Sequence, residues 1–124
     1  MKNVDFHHML NALAEAWKNR DYKKVISFFN DELFYSDGLN YRFSNKQDLL
    51  GFFENDDGNA QFCVFYNSIF DDKNQIGVGE YTYIGTNSFH GTVWIKIENN
   101  RIASWREYQH KTDLSWKEFW KKEE

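Results

Sequence analysis

Phe89-His90-Gly91-Thr92-Val93-Trp94-Ile95-Lys96-Ile97, a turn at Glu98-Asn99-Asn100-Arg101, and Ile102-Ala103-Ser104-Trp105-Arg106-Glu107-Tyr108 decide the fold. Both runs alternate with the period of two that strands impose, and the Asn pair between them tolerates the positive φ values of a tight hairpin turn. The segment is therefore a β-hairpin. With a two-residue loop, strict alternation sets Trp94 opposite Trp105, Thr92 opposite Glu107 and His90 opposite Gln109, all on one face. That face mixes large aromatics with ionisable groups, whereas Val93, Ile95, Ile97 and Ile102 fall on the other, plainly apolar one. A buried carboxylate or imidazole needs polar partners that a plain core does not supply, so the mixed face is expected to line a pocket.

Working outward, residues 60 to 70, 75 to 84, 88 to 97 and 101 to 109 are strand-like runs with connections short enough for an antiparallel meander. Upstream the period changes. Asn3 is a candidate N-cap for a helix with an apolar stripe at Phe6, Leu10, Leu13, Ala14 and Trp17. Asp21 is a candidate cap for a second helix carrying Tyr22, Val25, Ile26 and Phe29, and Ser44 with Gln47 has capping-box spacing ahead of Leu49, Leu50, Phe52 and Phe53. The spacing predicts helices near 4–18, 22–30 and 45–54. Between the second and third, Glu32-Leu33-Phe34-Tyr35-Ser36-Asp37 reads as one short strand standing alone, followed by turn chemistry at Gly38-Leu39-Asn40. After Thr112-Asp113, the spacing of Trp116, Phe119 and Trp120, with Lys121 and Lys122 suited to a helix C-terminus, predicts a short terminal helix over 112–122.

The 124 residues suit a single domain, 1–124, with its core in 5–109. At 41% hydrophobic and 19% aromatic the composition excludes disorder and points to bulky rings around a core or cavity. Fifteen basic against nineteen acidic residues give a net charge of -4, and no stretch is basic enough to track a phosphate backbone, so nucleic acid is not expected as a partner. The opening Met1-Lys2-Asn3-Val4-Asp5 interrupts any signal-peptide apolar run and no segment approaches membrane-spanning length, so a cytoplasmic protein with no membrane contact is expected. The single Cys63 lies in the strand pattern Gln61-Phe62-Cys63-Val64-Phe65-Tyr66 and reads as a packed thiol.

The order helix, helix, strand, helix, then four long strands is α+β. On Trp17-Lys18-Asn19-Arg20-Asp21-Tyr22, Phe34-Tyr35-Ser36-Asp37-Gly38 and Arg101-Ile102-Ala103-Ser104-Trp105-Arg106-Glu107-Tyr108, residues 5 to 109 resemble the nuclear transport factor 2-like superfamily, which includes SnoaL-like polyketide cyclases and ketosteroid isomerases. The resemblance implies a cone-shaped, curved antiparallel sheet packed on three N-terminal helices, a cystatin-like α+β barrel. It also places Asp37 on the family's catalytic carboxylate, the base that moves a proton alpha to a carbonyl. Leu10-Asn11-Ala12-Leu13-Ala14 stands where the family's oxyanion tyrosine would be.

Physical chemistry supplies competing readings of each candidate. A carboxylate at a strand end facing an aromatic cavity is partly desolvated, which suits Asp37 to proton transfer, but Asp before Gly also makes an Asx turn. Glu80, Thr92 and Glu107 line up across three strands if Gly85-Thr86-Asn87 is the full loop, so two carboxylates would share a proton; alternatively Glu107 pairs with a cation and Glu80 sits in water. His90 is placed to shuttle a proton or simply to be hydrogen-bonded. Tyr35, Phe65, Trp94 and Trp105, with Tyr81 and Tyr83, supply walls. Adjacent His7 and His8 cannot jointly hold a metal, and no zinc spacing, phosphate-binding glycine loop or nucleophile elbow occurs, so neither a metal nor another cofactor is expected.

Two functions suit these residues. One is a cofactor-free isomerase or cyclase acting on a small hydrophobic carbonyl compound, with Asp37 as base and Glu107 or His90 as partner. The other is a non-catalytic module of the same fold that binds a ligand or a protein. A homodimer is expected through an outward face carrying Val93, Ile95, Ile97, Tyr81 and Tyr83, with the terminal helix as a partial lid on the cone.

Overall fold

The computed structural model describes residues 1–38 and 41–120. The expected turn residues Leu39 and Asn40 and the lysines Lys121 and Lys122 lie outside them. Helix α1 (Asn3–Lys18) buries Phe6, Leu10, Leu13 and Ala14 of the expected stripe and Met9 and Ala16 besides, while Trp17 is only partly buried against the core. Asn3 is its first helical residue rather than its cap, a place taken by Lys2 with no side-chain bond. In α2 (Tyr22–Ser27) the Asp21 carboxylate accepts from the Lys24 amide. That helix stops short of Phe29, which opens β1 (Phe29–Asp37) and pairs with Ile102. Helix α3 (Lys46–Glu54) starts from Asn45, whose side chain accepts from the Asp48 amide at 2.9 Å. Ser44 is thereby left inside β2 (Tyr41–Asn45) instead of capping the helix.

Strands β3 (Phe62–Asp71), β4 (Ile76–Ile84), β5 (Ser88–Glu98) and β6 (Arg101–Lys111) form the expected meander. The strand over 32–37 does not stand alone. It belongs to β1, which pairs antiparallel with β2 on one side and parallel with β6 on the other, completing an unclosed six-stranded sheet in the order β2-β1-β6-β5-β4-β3. The long excursion through α3 and the meander gives the chain the length that a parallel return needs.

The β5–β6 hairpin departs from strict alternation. Asn99 and Asn100, with φ of 54° and 62°, make the two-residue loop, and Glu98 faces Arg101 as expected. One register step later the ladder slips. Ile97 pairs with Ile102 but Lys96 pairs with Ser104, which leaves Ala103 as an extra residue in β6. Such a bulge shifts every later pair by one and turns the strand over. Trp94 therefore lies opposite Arg106, Thr92 opposite Tyr108 and His90 opposite His110, not opposite Trp105, Glu107 and Gln109. Val93 and Ile95 share the inner face with Trp105 and Glu107, whereas Trp94 points outward at 44% exposure.

The helices cover the inner face. Phe6 stacks on Phe70 with ring centroids 4.5 Å apart, and a Cβ built on Gly77 would lie 2.3 Å from the Phe6 ring, so α1 seats itself where β4 lacks side chains. Val93, Ile95, Ile97 and Tyr81 belong to this core, and Tyr83 packs against it beside Trp17. These residues are consequently unavailable as an outward dimer face, and the expected sheet-to-sheet contact through them is overturned. The terminal helix α4 (Trp116–Phe119) starts at Ser115, which forms a capping box with Glu118, and is shorter than expected. It packs on the sheet with Trp116 stacked on Tyr66 at 4.0 Å and Phe119 stacked on His90 at 4.5 Å, and both rings line a hollow that also takes in Asp37, Glu107 and Gln109. No helix among the described residues is long and apolar enough to cross a membrane.

Candidate functional site

Between the inner face of the sheet and the helices lies a cavity of 430 Å³. Its walls are aromatic. Tyr35 from β1 and Trp105 from β6 are cross-strand neighbours whose rings lie 8° from parallel, Tyr81 and Tyr83 come from β4, Phe65 from β3 and Trp17 from α1. The rim is polar. Asp56 accepts from Arg20 at 2.9 Å and from the Tyr22 hydroxyl at 2.5 Å, and Asp57 accepts from the Asn59 amide at 2.9 Å and from the Thr86 hydroxyl. These bonds hold the segment after α3 to the start of α2 and to the β4–β5 loop.

Asp37 and Glu107 occupy the cavity as direct partners on the parallel strands β1 and β6. Around them the hydrogen bonds form one chain with a consistent direction. The Tyr81 hydroxyl donates to Gln109 Oε1 at 2.9 Å, and Gln109 Nε2 donates to Asp37 Oδ1 at 2.8 Å. From the other side, Trp105 Nε1 donates to Glu107 Oε1 at 3.0 Å, and the Glu107 carboxyl bonds to Asp37. Here the neutral hydroxyl faces the amide oxygen and the carboxylate faces the amide nitrogen.

Burial, and then the adjacent Asp37 charge, pushes the Glu107 carboxyl well above the usual carboxylate range. Burial also raises Asp37, but the hydrogen bonds from Glu107 and Gln109 oppose the rise. Two carboxyls raised by burial and set side by side hold a proton between them rather than two charges. Burial likewise pushes the Tyr35 and Tyr81 hydroxyls and the Cys63 thiol up, so these groups stay neutral lining.

Of the residues singled out in the sequence, Asp37, Glu107, Tyr35, Phe65 and Trp105 meet in this cavity. Asp37 faces Gln109 and Ser36 Oγ donates to the Gly38 carbonyl, while the Asx turn expected at Asp37 would use Leu39, which lies outside the described residues. No lysine or arginine pairs with Glu107 among the described residues, whose cavity lining holds no basic side chain. Trp94, Glu80, Thr92 and His90 do not line this cavity, because the Ala103 bulge separates their face from that of Glu107; Glu80, Thr92 and His90 instead share a second, more open hollow with Asp37 and Glu107. Glu80 accepts from Asn67 at 2.9 Å. His90 is buried under α4, where Nδ1 meets the Thr82 hydroxyl at 2.8 Å and Nε2 donates to the Leu114 carbonyl at 2.9 Å. The sequence reading missed Gln109 as a site residue, although its place two residues beyond Glu107 puts both on one face of the strand.

No protein-family model and no curated protein matches this sequence. Solved structures do match. An LEH-like epoxide hydrolase from M. tuberculosis is 18% identical, with 86% of this chain and 84% of that one covered at a TM-score of 0.72. A nuclear transport factor 2-like protein of unknown function from Burkholderia xenovorans is 13% identical, with 99% and 98% covered at a TM-score of 0.77. A protein from Xanthomonas campestris provisionally described as a polyketide cyclase is 11% identical, with 85% and 90% covered at a TM-score of 0.72.

Proposed function

We propose, on the premise that the chain has the fold of the nuclear transport factor 2-like superfamily, that it is a cofactor-free enzyme that moves a proton on a small hydrophobic carbonyl compound. The observation that carries this reading is the Asp37–Glu107 pair, two carboxyl groups with a single proton between them inside an aromatic cavity. An environment that keeps one carboxyl charged and its neighbour protonated separates the roles of base and acid. Asp37 takes a proton from the carbon next to the carbonyl, and the electron pair of that C–H bond delocalises onto the carbonyl oxygen. The Glu107 proton is hydrogen-bonded to that oxygen as its charge grows. Returning the proton from Asp37 to a different carbon completes an isomerisation with no net change in charge or atoms. Gln109 positions the base, and the cavity excludes the water that would otherwise solvate it.

The test is exchange of α-hydrogens for deuterium in cyclohexanone and 2-tetralone, monitored by proton NMR in heavy water. Wild type should accelerate exchange by about 10²-fold or more over Asp37→Asn, the scale of one well-placed base. Equal rates for wild type and Asp37→Asn, with ketone binding still measurable, would remove the catalytic reading and leave a binding module.

A further inference from the structure

We infer that the ligand of this cavity carries a positive charge: a lipophilic ammonium, a hydrophobic ring or chain bearing a protonated amine whose nitrogen lies at Asp37 and Glu107. The inference deepens the proposed function and rests on the same pocket, naming the class of molecule its carboxylates would anchor.

The first argument is the charge pattern of the lining. Asp37, Glu107, Asp56 and Asp57 all line the cavity, and no lysine, arginine or histidine does so among the described residues. At the rim, Arg20 already pairs with Asp56, and Asp57 is held by Thr86 and Asn59. The inner pair has no such cation. Its partners are an amide, an indole and each other, all of which donate hydrogen bonds without cancelling the charge. An anion kept in an apolar cavity without a countercharge is costly, and a ligand that brings one relieves that cost on binding.

The second argument is the supply of donors. Every bond in the chain from Tyr81 and from Trp105 runs toward Asp37, so both the Tyr81 hydroxyl and the Trp105 indole are already engaged. The carboxyl pair offers a newcomer acceptor oxygen, beside the Tyr35 and Tyr83 hydroxyls, and an ammonium brings N–H donors together with the charge that strengthens them. The walls act in the same sense, because the faces of Trp105, Tyr35 and Tyr81 attract cations.

The experiment compares cyclohexylmethylamine, cyclohexylmethanol and cyclohexanecarboxylate by titration calorimetry at pH 7. The amine should bind about tenfold or more tighter than the alcohol of the same shape, the value of one hydrogen bond to a charged group, and the carboxylate should bind weakest. Asp37→Asn should bring the amine and alcohol within about threefold of each other, whereas Glu107→Gln, which keeps the Asp37 charge, should retain most of the preference. If Asp37→Asn does not fold, the wild-type ratio still decides when repeated in 0.5 M salt, since attraction to the exposed rim is screened there and a buried pair is not. Alcohol binding equal to amine binding, or a preference that vanishes in salt or survives in folded Asp37→Asn, overturns the inference. Ketone exchange without amine preference would sink this inference alone; amine preference without exchange would sink only the proton-transfer reading.

Discussion

Asp37 and Glu107 are paired across β1 and β6, the one parallel contact in the described sheet, and the hydrogen bonds on either side of them run toward Asp37. Neither residue could hold its state alone. Removing the Glu107 proton would set two buried negative charges side by side, and removing the Asp37 charge would leave the amide nitrogen of Gln109 without its carboxylate acceptor. Fold and site are thus coupled through protonation.

That coupling predicts a pH-dependent stability. Because burial raises Glu107 in the folded state, its stabilising contribution is fully present below the unfolded value of about 4.3 and is lost as pH rises through the raised folded value. Asp37, raised in the same direction, adds to the trend. Glu107→Gln copies the protonated form and should be insensitive to this loss. In melts monitored by circular dichroism, the variant should match wild type near pH 4 and melt a few degrees higher by pH 8. A gap that stays constant with pH would show that Glu107 carries no raised pKa.

The helices and the meander were legible in the sequence because each rests on a local period or a turn residue, whereas the place of Asp37 in an aromatic pocket was expected from the family resemblance. The face of Trp94 was not legible. Strict alternation from the Asn99-Asn100 loop is correct for Ile97 and Ile102, and the single unpaired Ala103 then inverts the remainder of β6. The signal was present in that strand itself: Ile102 and Trp105 are both buried, and a spacing of three cannot put two residues on one face of a regular strand. Strand β2 was hidden for another reason. Tyr41, Arg42, Ser44 and Asn45 are exposed on this edge strand, so it shows no apolar alternation, and its pairing with β1 depends on residues distant from the meander.

The bulge makes a sharp prediction. Deleting Ala103 removes the extra residue and leaves Ile102 and Trp105 two apart, so a regular ladder keeps the pairs Ser104–Lys96 and Trp105–Ile95 and holds Trp105 and Glu107 on the inner face. The single deletion should therefore still melt cooperatively, whereas deleting Ala103 and Ser104 together sets Trp105 directly after Ile102, turns Trp105 and Glu107 outward and should abolish cooperative melting. A single deletion that loses cooperative melting would mean that the sheet needs the bulge itself.

Gly77 offers a test of how α1 is seated. A methyl group there meets the Phe6 ring at 2.3 Å, well inside contact distance, so Gly77→Ala should destabilise by about 1–3 kcal/mol through overpacking. Phe6→Leu, which withdraws the ring edge, costs stability on its own but should be cheaper in the Gly77→Ala background. A double variant whose loss in urea equals the sum of the two single losses would show that the ring and the glycine do not meet.

The last prediction concerns α4. A helix of four residues has almost no stability of its own, so it persists through what it touches. Its anchors are Trp116 on Tyr66, Phe119 on His90, and the bond from His90 Nε2 to the Leu114 carbonyl, which requires the imidazole to carry its proton on that nitrogen when neutral. None of these residues lines the 430 Å³ cavity, although Trp116 and Phe119 share the second hollow with Asp37 and Glu107. Trp116→Ala should therefore release the segment after Lys111 to limited proteolysis several times faster than in wild type, with only a small drop in melting temperature. Because neither Trp116 nor Phe119 lines the 430 Å³ cavity, the affinity for cyclohexylmethylamine should stay within about twofold of wild type, a change worth less than about 0.5 kcal/mol. A large change in that affinity, with proteolysis unaltered, would instead make α4 a gate to the cavity.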